Sequence, residues 1–167
     1  MDASRIGLGC MRMADMSVQE VSKLINIALD NGVNLFDHAD IYGAGRSEEV
    51  FGKALAENKG MRERMRIQTK CGIRDGYYDF SAAHILSSVD DSLRRLQTEY
   101  IDLLLLHRPD ALMDVEEVAD TLHQLQRTGK VRRFGVSNFT SAQIKLLQSV
   151  CKVPIQVNQM QFGLMHA

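Results

Sequence analysis

Gly7-Leu8-Gly9-Cys10-Met11-Arg12 closes the first apolar run of the chain, residues 6–9. A strand opening a doubly wound, dinucleotide-binding sheet usually ends in G-x-G-x-x-G, and a helix starts directly on it. Here Arg12 stands at the third glycine, and the next helical pattern begins only at Ser17. The stretch therefore argues against the open sheet. It favours the other architecture built from alternating strands and helices, the (β/α) barrel.

Working outward, the same alternation continues to the end. Further short apolar runs lie at residues 33–36, 66–69, 101–106, 131–136 and 155–157. Between them, Ser17 with Glu20 reads as a capping box for a stripe of Val21, Leu24, Ile25, Ala28 and Leu29, which Gly32 stops. Ser47 is expected to open a second helix and Ser81 a third. Asp114 with Glu117 opens a fourth that ends at Gly129, and Thr140 with Gln143 a fifth. Strands alternating with helices predict βαβ units and a parallel sheet. Strand starts recur roughly every 30 residues, about one unit of an eight-unit barrel of ~250 residues. The reading is a single domain over residues 1–167: an α/β fold of TIM-type barrel lineage, incomplete at six parallel units.

Composition narrows the function classes. The chain is 45% apolar and 25% charged with a net charge of -1, which fits an ordered globular protein and gives no electrostatic reason to expect nucleic acid or an anionic membrane. Its longest apolar run is far below the ~18 residues that span a bilayer. Asp2 and Arg5 before a short apolar patch do not read as a signal peptide. Cys10, Cys71 and Cys151 cannot all pair and show no C-x-x-C spacing, so free thiols in a reducing, cytoplasmic setting are expected.

What ends the strands is more telling. Asp37, Lys70, His107, Ser137-Asn138 and Asn158-Gln159 each follow or end an apolar run. Singly, such residues cap turns or face water. In a parallel barrel, however, all strand carboxyl ends share one rim, where barrel active sites lie. An unperturbed tyrosine is a poor acid near neutrality, and a nearby ammonium favours its phenolate. Tyr42, on the loop after Asp37, thus pairs with Lys70 and Asp37 as a proton donor, and His107 can hydrogen-bond a substrate carbonyl.

These stretches resemble the aldo-keto reductase family: residues 32–43 (GVNLFDHADIYG), 68–72 (QTKCG), 102–110 (DLLLLHRPD), 129–139 (GKVRRFGVSNF) and 157–159 (VNQ). The resemblance covers essentially the whole chain in the family's order, and its texture is closest to a bacterial oxidoreductase branch. It implies an NADP-dependent oxidoreductase that reduces an aldehyde or ketone to an alcohol. Tyr42 would be the general acid, Lys70 would make it a better acid, Asp37 would hold Lys70, and His107 would orient the carbonyl. Ser137, Asn138 and Gln159 would hold the nicotinamide carboxamide of NADPH, bound without a Rossmann fold.

Two departures stand out. His38 replaces the family's frequent Thr or Ser. With Asp40 and His107 it raises the alternative of a metal-dependent barrel hydrolase, although no further cluster supports a metal site. The larger departure is length. Family members carry eight strands, and the loops after strands seven and eight normally supply most of the grip on the cofactor's phosphates. Here the sequence stops at Ala167, just after strand six. Impaired catalysis is therefore expected of the isolated chain, together with self-association or strand completion through open sheet edges. A non-catalytic regulatory or interaction subunit on the same scaffold is the alternative function. Cys71, next to Lys70, reads either as a thiol of lowered pKa or as an inert buried one. Met11, Met13 and Met16 read either as lining the substrate mouth or as loop packing. His84, His123 and His166 read as surface residues.

Overall fold

The computed structural model describes residues 2–165. Strand and helix alternate throughout: β1 (Gly7–Gly9), α1 (Val18–Asp30), β2 (Leu35–Asp37), α2 (Arg46–Glu57), β3 (Arg66–Cys71), α3 (Ala82–Leu96), β4 (Leu103–Leu106), α4 (Val115–Arg127), β5 (Phe134–Ser137), α5 (Ser141–Val150) and β6 (Ile155–Gln159). The six strands form one sheet in sequence order, every neighbouring pair parallel.

The sheet is curled into a half-barrel. Along a flat sheet, β2 and β6 would stand four steps of ~4.8 Å apart, about 19 Å. Instead the Gln159 side chain of β6 hydrogen-bonds the Asp37 side chain of β2 at 3.0 Å. The period-2 alternation of strands assigns the two faces. Asp37, Gln68 and Lys70, with Leu105, Gly135 and Gln159, fall on the concave face by register. Phe36, Ile67, Leu104, Leu106, Phe134 and Val136 fall on the convex face, almost fully buried. They pack under the helices in two apolar cores, one beneath α1 and α2 and one beneath α3, α4 and α5.

The helix starts at Ser17, Ser81, Asp114 and Thr140 form as the sequence predicts. Each of these side chains accepts a hydrogen bond from a backbone amide of the first turn. Ser47 does not open α2. That helix begins after Gly45, which sits at φ 90°, while the buried Ser47 hydroxyl donates to the Cys10 carbonyl at 2.6 Å. Four strands start later than their apolar runs, β1 at Gly7 and β4 at Leu103 among them. The Val33 amide still bonds back to Ala28 O, so β2 begins at Leu35. Val131 makes only an isolated bridge to Ile101 before β5 begins at Phe134. There the Asp102 carboxylate takes the Ile67 amide and an Arg62 guanidinium nitrogen. The edge strands of the described sheet are β1 and β6.

Candidate active site

Lys70 is the centre of the rim. It is 3% exposed, and its Nζ lies 2.5 Å from Asp37 Oδ1, 2.9 Å from the His38 carbonyl and 3.1 Å from the Tyr42 hydroxyl. A lysine ammonium has three protons and no acceptor. All three protons are therefore assigned, and the Tyr42 oxygen is an acceptor of one of them. That leaves the tyrosine's own proton free to point away from Lys70. The loop that carries Tyr42 is shaped by left-handed backbone at Gly43 (φ 59°) and Ala44 (φ 56°). A Cβ on Gly43 would sit 2.3 Å from the Ala14 methyl, so the turn needs a glycine to dock on the segment after β1.

His107 follows β4, its amide bonded to the Cys71 carbonyl at 2.9 Å, and its ring meets the Tyr42 ring edge-to-face at 6.3 Å. Burial pushes the imidazole down to about 4, helped by the charges of Lys70 and Arg108 and opposed by Asp37. Near neutrality the ring is uncharged, a hydrogen-bonding group rather than a cation.

Ser137, Asn138 and Gln159 meet at the ends of β5 and β6. The Ser137 hydroxyl and the Asn138 amide both donate to the Gln159 carbonyl at 3.0 Å, and Asn138 Nδ2 donates to Ser137 Oγ at 2.9 Å. Asn138 takes a left-handed conformation (φ 58°), which asparagine tolerates better than most residues. The Gln159 side chain turns inward to Asp37. Neighbouring Asn158 does not join this group; its amide clamps the backbone of Phe139. Of the residues expected at the rim from the sequence, Asp37, Lys70, His107, Ser137, Asn138 and Gln159 lie at the strand ends and Tyr42 on the loop after β2. Lys70 links to Asp37 and Tyr42, Tyr42 stacks with His107, Gln159 bonds Asp37, and Ser137 and Asn138 bond Gln159.

The neighbouring residues decide between the readings that the sequence left open, and one of them, His84, departs from expectation. His38 is fully buried, both ring nitrogens unpartnered, its ring edge-on to Phe51 at 4.5 Å. Burial drives it down to about 3, with Lys70 adding and Asp37 opposing. The described residues contain no group of three or more His, Cys, Asp or Glu side chains able to hold a metal. Cys71 is not activated by Lys70. Successive side chains of a strand point to opposite faces, and burial raises the thiol well above its ordinary value. Met13 is buried in the core and Met16 packs against it, while Met11 is exposed. His84 is half-buried rather than a surface residue: Nδ1 meets an Arg74 guanidinium nitrogen at 3.1 Å, and Nε2 is buried without a partner. His123 is exposed, and His166 lies outside the described residues.

Sequence reasoning passed over two polar groups. Gln68, 4% exposed, hydrogen-bonds both Asp37 and Gln159. The signal was a glutamine two residues before Lys70 in an otherwise buried strand, a spacing that puts both on one face. Behind the sheet, fully buried Glu48 of α2 pairs with Arg95 of α3 at 2.8 Å and accepts the Thr69 hydroxyl at 2.6 Å. Asp40 accepts from Ser88 at 2.7 Å, and burial raises its carboxyl to about 6.

Comparisons with known proteins place the chain in a family. The model of the aldo/keto reductase family matches residues 5–167. The oxidoreductase YdhF of Escherichia coli is 45% identical over 98% of this chain and 58% of its own length. The 6-dehydroglucose reductase of Agrobacterium fabrum is 39% identical over 99% of this chain and 60% of its own. In fold, a glycerol dehydrogenase from Gluconobacter oxydans superposes with a TM-score of 0.87 at 34% identity, over 99% of this chain and 54% of that one. The chain therefore spans a little over half the length of these relatives, and it belongs to the aldo/keto reductase family.

Proposed function

We propose that residues 1–167 form one domain serving the NADPH-dependent reduction of an aldehyde or ketone to an alcohol, in a cytoplasmic setting. The observation that carries this reading is the saturated Lys70 ammonium. With its protons committed to Asp37, His38 and Tyr42, the Tyr42 hydroxyl keeps its own proton for an outside acceptor. A 6-dehydroglucose reductase and a glycerol dehydrogenase among the similar proteins support carbonyl–alcohol chemistry.

The site residues fit a nicotinamide. Gln159 has used one amide proton on Asp37 and one carbonyl lone pair on Gln68, leaving one of each for a carboxamide. Ser137 and Asn138 stand beside it. When bound, NADPH supplies a hydride to the carbonyl carbon. Tyr42 gives its proton to the carbonyl oxygen, and Lys70 stabilises the phenolate left behind. Asp37 balances the Lys70 charge. His107, uncharged, fixes the carbonyl oxygen beside Tyr42.

The test is carbonyl-dependent NADPH oxidation by a chimera in which this chain is followed by the C-terminal part of YdhF. Tyr42→Phe removes the proton donor, and general acid catalysis contributes ~10²–10⁴-fold, so turnover should drop by about that factor. Near-wild-type reduction by Tyr42→Phe rejects the assignment. A chimera that binds NADPH yet oxidises none with any carbonyl favours a non-catalytic regulatory or interaction subunit.

A further inference from the structure

Asp37 is held from three sides. Oδ1 accepts from Lys70 Nζ and from Gln68 Nε2, both at 2.5 Å, and Oδ2 accepts from Gln159 Nε2 at 3.0 Å. Gln68 Nε2 also faces Gln159 Oε1 at 3.3 Å. A side-chain amide has two protons, and these two acceptors take both. Gln68 is 4% exposed, so its amide cannot turn to bulk water without leaving Asp37 and Gln159 short of a donor.

We propose that Gln68 is a positioning residue of this site. It ties Asp37, and through it Lys70, to Gln159, so that the group aimed at Tyr42 and the group that would hold the carboxamide are set by one amide. This rests on the reading of Tyr42 and Lys70 as the proton-delivery pair. Without the Gln68 amide, Asp37 Oδ1 keeps only Lys70, and the carboxylate is free to rotate toward the ammonium and draw it from Tyr42. At the same time the Gln159 side-chain carbonyl loses its donor, and its amide is held by Asp37 Oδ2 alone. Gln68 touches neither Tyr42 nor the carbonyl position; it acts through its neighbours.

The readout is proton exchange of the Lys70 ammonium in the 167-residue chain, followed by NMR with nitrogen-labelled lysine. Lys70 is the only lysine in the buried set of the described residues, so its ammonium protons should exchange slowly and stand apart from the rest. Gln68→Met keeps length and volume but removes the amide. It should speed Lys70 exchange by about tenfold or more, the scale of a lost hydrogen bond to a charged group. The control is Thr69→Val, which breaks the buried bond to Glu48 and loosens the same strand. It should leave Lys70 exchange within about twofold of wild type, because a merely structural loss does not touch Asp37. Unchanged exchange in Gln68→Met overturns the proposal. So does equal acceleration in both variants. If Gln68→Met does not fold, Gln68→Asn, whose amide falls one methylene short, is read the same way: faster exchange supports the role, wild-type exchange overturns it. The Tyr42→Phe turnover test is separate, so failure of the reductase reading and failure of the Gln68 role are seen in different measurements.

Discussion

Gln159 donates a 3.0 Å hydrogen bond to Asp37, 122 residues earlier in the chain and four strands away in the sheet. It joins the concave face across the half-barrel, between strands that are not neighbours. Replacing Gln159 with leucine leaves Asp37 Oδ2 with no protein donor and forfeits a charge-assisted bond. The expected cost is about 1–3 kcal/mol of stability, read as a lowered urea midpoint. A midpoint equal to wild type would mean that the curl is held by backbone pairing alone.

The acid limb of stability should be set by buried histidines. His38 and His107 are pushed from 6.5 to about 3 and about 4 in the folded chain, burial being the main cause. The folded state then binds fewer protons than the unfolded one, so their contribution is complete above pH 6.5 and is lost as the pH falls below it. Asp40 has the opposite sign. Burial raises it from 3.8 to about 6, so the folded state binds the extra proton and stability falls as pH rises through that window. Between pH 4 and 6, two histidines oppose one carboxyl. His38→Leu should remove about 1.4 kcal/mol per pH unit of that slope and leave the limb nearly flat. Urea midpoints at a series of pH values check this; an unaltered slope refutes it.

How much of this was legible in the sequence differs residue by residue. Caps such as Ser17-Glu20 and Thr140-Gln143 were, because a cap is local chemistry within one turn. Asp37, Lys70 and His107 were, because parallel strands bring all their ends to one rim. Gln68 was not singled out, since its partners lie 31 and 91 residues away and only the curl of the sheet brings them together. Ser47 misled because a helix-opening serine and a serine buried against the Cys10 carbonyl share the same local pattern. Glu48 reads as a surface charge on an amphipathic helix until Arg95 and Thr69 arrive from α3 and β3.

The thiols should be inert. Cys10 and Cys71 are almost fully buried, and burial raises both thiols well above their ordinary value. The thiolate is the reactive form. An aromatic disulfide reagent should therefore modify Cys10 and Cys71 only at the rate of unfolding, and denaturant should release all three thiols at once. Fast modification of Cys71 in the folded chain would restore the idea that Lys70 activates it.

Cofactor affinity and association of residues 1–167 should be linked. On the function proposed above, Ser137, Asn138 and Gln159 would offer the nicotinamide end a few neutral hydrogen bonds. Charge-assisted bonds to phosphates contribute about 1.5–3 kcal/mol each, and the family resemblance implies that most of that grip would come from loops after strands seven and eight, outside these residues. Losing several such bonds weakens binding by orders of magnitude. Meanwhile β1 and β6 present open edges, and Met160, Phe162, Leu164 and Met165 follow β6 with more than half of their surface exposed. Unpaired edges beside apolar surface seek partners. The isolated chain should therefore show weak or no NADPH binding by fluorescence titration and concentration-dependent association by light scattering. Phe162→Ser with Leu164→Ser should reduce the association without restoring the binding, because it adds no phosphate contact. Supplying the C-terminal part of a relative in trans should reverse both at once, since the same strands cover the edges and carry the grip. A monodisperse monomer that binds NADPH at micromolar concentration would show that six strands suffice.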